Sequence, residues 1–337
     1  MCKHLGLIVA LGLSLASISR AAAPPLMRYT FAENHMGTQF KIVLYAPDAA
    51  TAEKAQQAAF ARIAKLDGIM SDYRANSELM QLCKKAGGDP VPISADLFTV
   101  LQRGQEVAQL SDGAFDMTIG PLVRLWRQTR RTGQLPSADE LARAKSLVGH
   151  DKVKLDPKAR TVQLTTPGMQ LDLGGIAKGY AADEALKVLK QHGIDRALVA
   201  AGGDVAVSGP PPDAPGWSVA IAPLAKTEKP PTLLLRDAAV STSGDAEQFV
   251  EIDGQRYAHI VDPKTGLGLR ARLSVTVVGP NGLTVDPLTK VPAVLGTDKG
   301  LALLDKVGVA VLVVRKTDKG LETVASPKFK DVPKQNE

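Results

Sequence analysis

Between Phe31 and Ala46 apolar and polar positions alternate in places, with Phe40, Ile42 and Leu44 on one side; this period of two predicts a first strand or hairpin. The period changes at Ala49. From there to Met70 apolar residues recur at helical spacing with few breakers, which predicts a helix. A second helix is expected over Pro92–Ser111, where Ser94 can cap the start and Leu97, Val100, Leu101 and Val107 share a face. A third spans Pro136–Val148, because Ser137 followed three residues on by Glu140 has the spacing of a capping box.

Short strands follow at Val153–Asp156 and Thr161–Leu164, and Gln170–Leu189 reads as strand, glycine-rich turn and helix. Further strands are expected at Ala197–Val199, Val205–Ser208, Trp217–Ile221 and Thr232–Leu235. Others follow at Ala239–Ser241, Phe249–Ile252, Tyr257–Ile260 and Ser274–Val278. Leu288–Leu295 and Leu301–Val307 are expected to be helical, with a last strand at Val309–Val314. Pro210–Gly216 and Ala225–Pro231 are proline-rich loops, and the polar tail from Lys328 is expected to fray. Helices and strands mix without regular βαβ alternation and without an internal repeat, so the fold class is α+β.

The N-terminus reads as a leader. Lys3 and His4 precede an apolar stretch from Leu5 to Ser17, and Ala21, Ala22 and Ala23 offer a cleavage site. That stretch is short of the ~20 apolar residues a membrane span needs. Residues 1–23 are therefore expected to be a signal peptide, 24–327 the folded domain and 328–337 a polar tail. The mature chain is expected to lack a membrane span and to be exported, to a bacterial periplasm. A chain of 337 residues buries a core without staples. Cys2 leaves with the leader and Cys83 stays alone, the pattern of a small buried hydrophobe. Loss of Lys3 and Arg20 lowers the formal charge from +6 to +4, which suits an anionic ligand and equally a solvated basic face. With aromatic residues at only 4%, a base-stacking platform is not available, and no nucleic-acid partner is expected.

Four clusters exceed what packing needs. They are Gly113-Ala-Phe-Asp116-Met-Thr118-Ile-Gly120-Pro121, Leu171-Asp172-Leu-Gly174-Gly175-Ile-Ala-Lys178-Gly179-Tyr180, His259-Ile-Val-Asp262-Pro263-Lys264-Thr265-Gly266 and Val285-Asp286-Pro287-Leu-Thr289-Lys290. In the second, a strand ending in Asp172 and two glycines would lead into a helix whose free N–H groups suit phosphate. Lys178 in the first turn works against the helix dipole, so a ligand accounts for it better than the dipole does, though a solvated lysine on a plain turn fits too. Asp172 and Asp286 would stand at strand-to-helix junctions, where a carboxylate serves as a Mg²⁺ ligand or as an ordinary cap or turn residue. His259, just ahead of an Asp-Pro turn, has the side chain for proton transfer near neutral pH; a structural histidine beside such a turn is the alternative.

Together these clusters resemble the ApbE family, the FAD:protein FMN transferases. Met36-Gly37-Thr38, Ser71-Asp-Tyr73 with Ser77-Glu78-Leu79, Gly202-Gly203-Asp204 and Ser243-Gly244-Asp245 extend the likeness over Phe31 to Gly296, in one order. The resemblance implies a mixed two-lobed α+β fold of related halves with FAD in the cleft between them. It implies Met36 and Tyr73 beside the isoalloxazine, and Ala114, Phe115 and Asp116 on the adenosine side. Asp172, Lys178 and Ile260 would complete the FAD site; Gly175, Asp286 and Thr289 would hold Mg²⁺, and His259 would act in the transfer step. The implied partner is an acceptor flavoprotein with a target threonine, a subunit of a membrane redox complex. The family pattern breaks at Lys290, which stands where a second metal-side Thr is expected, and at Ala246, which replaces an aromatic. The first departure bears on the metal site, and it keeps open two other readings: an FAD-binding protein without turnover, and an FAD pyrophosphatase yielding FMN and AMP.

Overall fold

The computed structural model describes residues 25–225, 230–244 and 249–335. The expected leader, and Asp245 and Ala246, lie outside them. Met36 (φ 50°) and Gly37 (φ 73°) fold the first alternating segment into a hairpin of β1 (Met27–His35) and β2 (Thr38–Ala46). Positive φ at both turn positions matches the right-handed twist of the strands. Asp48, accepting from Thr51 N at 2.7 Å, caps α1 (Ala49–Met70), whose Ala52, Ala55, Ala59, Ile63 and Leu66 form its buried stripe. Ser77 caps α2 (Glu78–Lys84), too short to show a period. After β3 (Val91–Pro92), Ser94 caps α3 (Ala95–Leu110) as expected.

Pattern reading missed α4 (Gly120–Thr132). Its buried residues are only Pro121, Leu122, Trp126 and Thr129 within an arginine-rich run, although Pro121 opens it and Gly133 in the left-handed region ends it. The capping box of Ser137 and Glu140 starts α5 (Ala138–Ser146). Then come β4 (Val153–Asp156), β5 (Thr161–Leu164), α6 (Ala177–Gln191), β6 (Ala197–Ala201) and β7 (Asp204–Val207). The strands β8 (Trp217–Ala220), β9 (Thr232–Leu235), β10 (Ala238–Gly244), β11 (Phe249–Ile252), β12 (Gln255–Ala258) and β13 (Leu273–Gly279) follow. The chain closes with α7 (Gly282–Leu288), α8 (Lys290–Leu295), α9 (Thr297–Val307), β14 (Ala310–Thr317), β15 (Gly320–Ala325) and α10 (Pro327–Lys330).

Eight strands form one antiparallel sheet in the order β1-β2-β6-β7-β10-β13-β14-β15. One face packs Phe40, Ile42, Val199, Val275 and Val313 against α1, α3, α6 and α7 in the main core. The other face, with Val43, Val207 and Leu312, is covered by Trp217 and Leu233 of the β8–β9 pair and by Phe329. A third cluster, Leu122, Trp126, Ala144, Ile252 and Tyr257, joins α4 and α5 to the β11–β12 hairpin. Helices lie beside an antiparallel sheet rather than between parallel strands, which is the α+β class.

Several local expectations change, among them the last strand, which is β15 and not Val309–Val314. No strand runs through Asp172; its N–H instead donates to Met117 O at 2.8 Å, because the segment crosses the first cluster rather than the sheet. Asp286 lies inside α7, not at a junction, and the single helix expected over Leu288–Leu295 breaks at Thr289 into α7 and α8. β12 stops at Ala258, so His259 follows the strand instead of ending it. As far as Gln335 the tail is docked: Phe329 is buried, Leu234 N donates to Pro333 O at 2.8 Å and Gln335 N to Thr232 O at 2.9 Å.

Candidate functional site

The pairings His35↔Thr38, Phe40↔Ala201, Ala201↔Asp204, Ser241↔Asp204 and Gly244↔Ser274 bring the Met36–Gly37 turn, the Gly202–Gly203 turn and the end of β10 to one end of the sheet. There α6 begins, and Lys178 reaches over the sheet. Its Nζ donates to Gly174 O at 2.8 Å and lies 3.2 Å from Asp204 Oδ2 and 3.9 Å from Asp286 Oδ2. Lys290 Nζ donates to Asp286 Oδ1 at 2.6 Å and to Asp286 O at 2.9 Å. Ser241 Oγ donates to Asp204 Oδ1 at 2.5 Å and Gly179 N to Asp286 Oδ2 at 3.2 Å. Two buried carboxylates are thereby matched by two ammonium groups, which is how buried charge is tolerated.

Burial, and then the neighbouring Asp286, push the Asp204 carboxyl up. Burial works against Asp286 as well, but Lys178 and Lys290 hold it below the usual carboxylate range. Lys178 loses to burial and gains more from Asp204 and Asp286, so its ammonium is held protonated.

The packing behind this cluster depends on glycine. A Cβ on Gly179 would stand 2.3 Å from Gly282 O and 2.9 Å from Asp286 Cβ, so α6 and α7 meet only because both residues lack one. Asp183, one turn further along α6, accepts from Gly282 N at 2.7 Å and Leu283 N at 2.8 Å and so starts α7. Burial pushes its carboxyl up to about 6.

A second network joins the Ser71–Tyr73 loop to the glycine turn. Asp172 accepts from Gly174 N at 2.8 Å and from Arg127 Nη2 at 3.3 Å. Arg127 also pairs with Asp72 at 2.5 Å, and its guanidinium carbon sits 4.1 Å from the centre of the Tyr73 ring, a ring that is 74% exposed. Burial and then Asp72 push Asp172 up. Nothing in the hydrophobic pattern singles out Arg127; Pro121 and Gly133, which bound α4, are the local signal that sets it on that helix beside Trp126.

The remaining candidates divide. A Cβ on Gly175 would lie 3.1 Å from Lys290 Cε and 3.5 Å from Phe115 Cε2, so three clusters converge at that glycine. Met36 opens onto a cleft of about 540 Å³ with His35, Thr38, Asp67 and Arg74; Arg74 pairs with Asp67 at 2.7 Å. Ala114, Phe115 and Ile260 are buried, and Ile260 O accepts from Leu269 N at 2.8 Å. Asp116 Oδ1 is taken by Thr118 N at 2.8 Å and Thr118 Oγ1 at 2.7 Å, a cap on the turn that follows. His259 is half-buried where the chain leaves β12. Beyond it the Asp262 carboxylate accepts from Lys264 N and Thr265 Oγ1, at 2.8 and 3.0 Å, and Trp126 Nε1 donates to Gly266 O at 2.8 Å.

The expected Mg²⁺ donors do not fit the ion. Mg²⁺ needs oxygens at about 2.0–2.1 Å in octahedral array. Here Lys290 occupies Asp286 Oδ1 and O, while Thr289 Oγ1 donates to Asp286 O at 2.7 Å and pairs with Ser243 Oγ at 2.8 Å. Among the described residues no group of three or more His, Cys, Asp or Glu is arranged to hold a metal.

A model of the ApbE family matches residues 36–313. An FAD:protein FMN transferase of Haemophilus influenzae is 32% identical over 347 residues, covering 98% of this chain and 97% of its own. One from Klebsiella pneumoniae is 34% identical over 279 residues, covering 82% of this chain and 85% of its own. The solved flavin transferase ApbE from Vibrio cholerae superposes with a TM-score of 0.84 at 30% identity, over 91% of this chain and 100% of that one.

Proposed function

Because the chain belongs to the ApbE family, we propose that it moves FMN from FAD to a threonine hydroxyl of an acceptor flavoprotein, with AMP as the leaving group. Its curated relatives are FAD:protein FMN transferases, and FAD is accordingly the substrate here. The observation that carries the reading is Lys178, held over Asp204 and Asp286 behind the Gly174–Gly175 turn, at the sheet end where the Met36 turn also lies. A glycine turn, a helix N-terminus and an adjacent ammonium suit a pyrophosphate.

In this scheme Tyr73 and Met36 flank the isoalloxazine, Ala114, Phe115 and Asp116 border the adenosine, and Asp172 and Ile260 complete the pocket. The acceptor hydroxyl attacks the phosphorus on the FMN side. A new P–O bond forms there, the bond from that phosphorus to the bridging oxygen breaks, and the electron pair leaves on AMP. His259 takes the hydroxyl proton. Negative charge develops on the phosphoryl oxygens, and fixed positive charge is the main demand of phosphoryl transfer, which Lys178 helps to meet. The leader-like residues 1–23 support an exported enzyme, acting in a periplasm on a subunit of a membrane redox complex. Among the described residues no helix is long and apolar enough to cross a membrane.

Incubation of the mature chain with FAD and an acceptor-domain fusion, with and without Mg²⁺, tests the proposal. Covalent flavin fluorescence on the acceptor in a denaturing gel is the expected result. Free FMN with AMP would instead mean hydrolysis, and unchanged FAD would mean a binder.

A further inference from the structure

Lys178 Nζ donates to Gly174 O at 2.8 Å and ion-pairs with Asp204 at 3.2 Å and, more loosely, with Asp286 at 3.9 Å. Of the three N–H groups of Lys290, two go to Asp286 Oδ1 and Asp286 O, and the third has no partner among the described residues. The Lys290 and Lys178 side chains keep 18% and 23% of their exposure, against 1% for Asp286 and 6% for Asp204, so both cationic side chains lie on the open side of the carboxylates. The Lys290 stem runs 3.1 Å from where a Cβ on Gly175 would stand, directly under the turn that a phosphate would approach.

Charge counting decides what else can enter. Asp204, Asp286, Lys178 and Lys290 sum to zero when ionised. A divalent cation bound to Asp286 would leave an excess of two positive charges in a site where Asp204 and Asp286 are nearly sealed from water. It would also have to displace Lys290 from both Asp286 oxygens, and Mg²⁺ sheds its own water reluctantly.

We infer that Lys290 is a tethered cation that closes this site to divalent metal and offers its remaining N–H to the phosphate groups of the ligand, so that flavin dinucleotide binding is independent of Mg²⁺. The ligand class rests on the function proposed above; the exclusion of metal does not. Lys290 approaches as a point charge on a flexible stem and needs no coordination shell, which is why one side chain can do this.

Two measurements on the mature chain separate the inference from that function. Titration with Mn²⁺ in the absence of flavin, read by the loss of the free-ion EPR signal, reports the cation site alone. The unaltered protein is expected to bind no Mn²⁺ there, while Lys290→Thr and Lys290→Ala each take up one ion per chain. Equal occupancy of unaltered and substituted proteins, whether all bind or none does, overturns the inference. FAD affinity, followed by flavin fluorescence in EDTA and in Mg²⁺, is the second measurement. The unaltered protein should give the same affinity in both; Lys290→Thr should bind about tenfold more weakly in EDTA, the loss of one charge-assisted contact, and recover with Mg²⁺. A strong Mg²⁺ dependence in the unaltered protein overturns the inference as well. Should FAD bind to no form, the proposed function falls while the Mn²⁺ titration still decides the role of Lys290. Circular dichroism and thermal melts establish that each variant is folded, and Lys290→Gln, which keeps most of the stem, replaces any that is not.

Discussion

The Arg127 guanidinium carbon lies 4.1 Å from the centre of the Tyr73 ring, and the same side chain pairs with Asp72 at 2.5 Å and Asp172 at 3.3 Å. An exposed aromatic ring is thereby held in place by a cation that is itself fixed at both ends. Such a ring is ready to stack, since little side-chain freedom remains to be lost when a flat ligand arrives.

Tyr73→Ala should therefore weaken FAD binding by ~1 kcal/mol beyond the area lost, the usual worth of an aromatic pair. Fluorescence titration with FAD reads this directly. An unchanged affinity would remove Tyr73 from the ligand site and leave Arg127 as a surface ion pair.

For His259 the expectation is kinetic. His259→Ala should retain FAD affinity and melting temperature while transfer falls by ~10²- to 10⁴-fold, the size of a general-base effect. Single-turnover transfer and a thermal melt on the same preparation check it. If affinity, transfer and stability all drop together, the histidine is structural.

Asp183 predicts a pH dependence of stability. Its carboxyl rises from 3.8 to about 6 on folding, chiefly through burial, against the help of Gly282 N, Leu283 N and Lys187 and with Glu184 nearby. A raised carboxyl means that the folded state binds more protons than the unfolded one between those values. The group thus costs stability above pH 6, and the cost disappears as pH falls toward 3.8, to a limit of about 3 kcal/mol. Urea unfolding of the unaltered protein and Asp183→Asn from pH 7 to pH 4 should show their difference shifting in favour of the unaltered protein on acidification. A pH-independent difference would contradict it.

Gly179→Ala should be severely destabilising. Its Cβ would meet Gly282 O at 2.3 Å, a backbone atom that cannot rotate away. Overpacking of this kind costs about 1–3 kcal/mol, and here it would also push Asp286 off Lys178 and Lys290. Gly68→Ala, where a Cβ meets nothing within 4 Å, is the matched control and should be neutral or stabilising. Equal melting temperatures for the two variants would show that α6 and α7 can separate at little cost.

Much of this was legible along the chain. The alternation over Phe31–Ala46, the caps Ser94 and Ser137 and the helix after the double glycine at 174–175 all rest on contacts within a few residues, so the local pattern carries them, while the place of the hairpin turn at Met36–Gly37 emerged only in the structure. The family likeness was legible for a related reason: each motif is short and continuous, and the matched span of 36–313 contains them in order.

What the sequence determined by itself is most of the longer capped or alternating elements, the α+β class and the chemistry available: a glycine turn with Lys178, carboxylates at Asp172 and Asp286, and a histidine at His259. The tertiary structure alone decided the pairing. Lys178 is separated from Asp286 by more than a hundred positions, and they meet only because two glycines, Gly179 and Gly282, let α6 and α7 approach backbone to backbone. Arg127 became a bridge between Asp72 and Asp172 only once α4 had docked through Trp126, and the polar tail became a strand partner only because β9 left an edge for it. The physical reason is one of range. Caps and alternation are set by neighbours along the chain, whereas ion pairs depend on which buried faces come together, and a charge pattern read in one dimension does not hold that information.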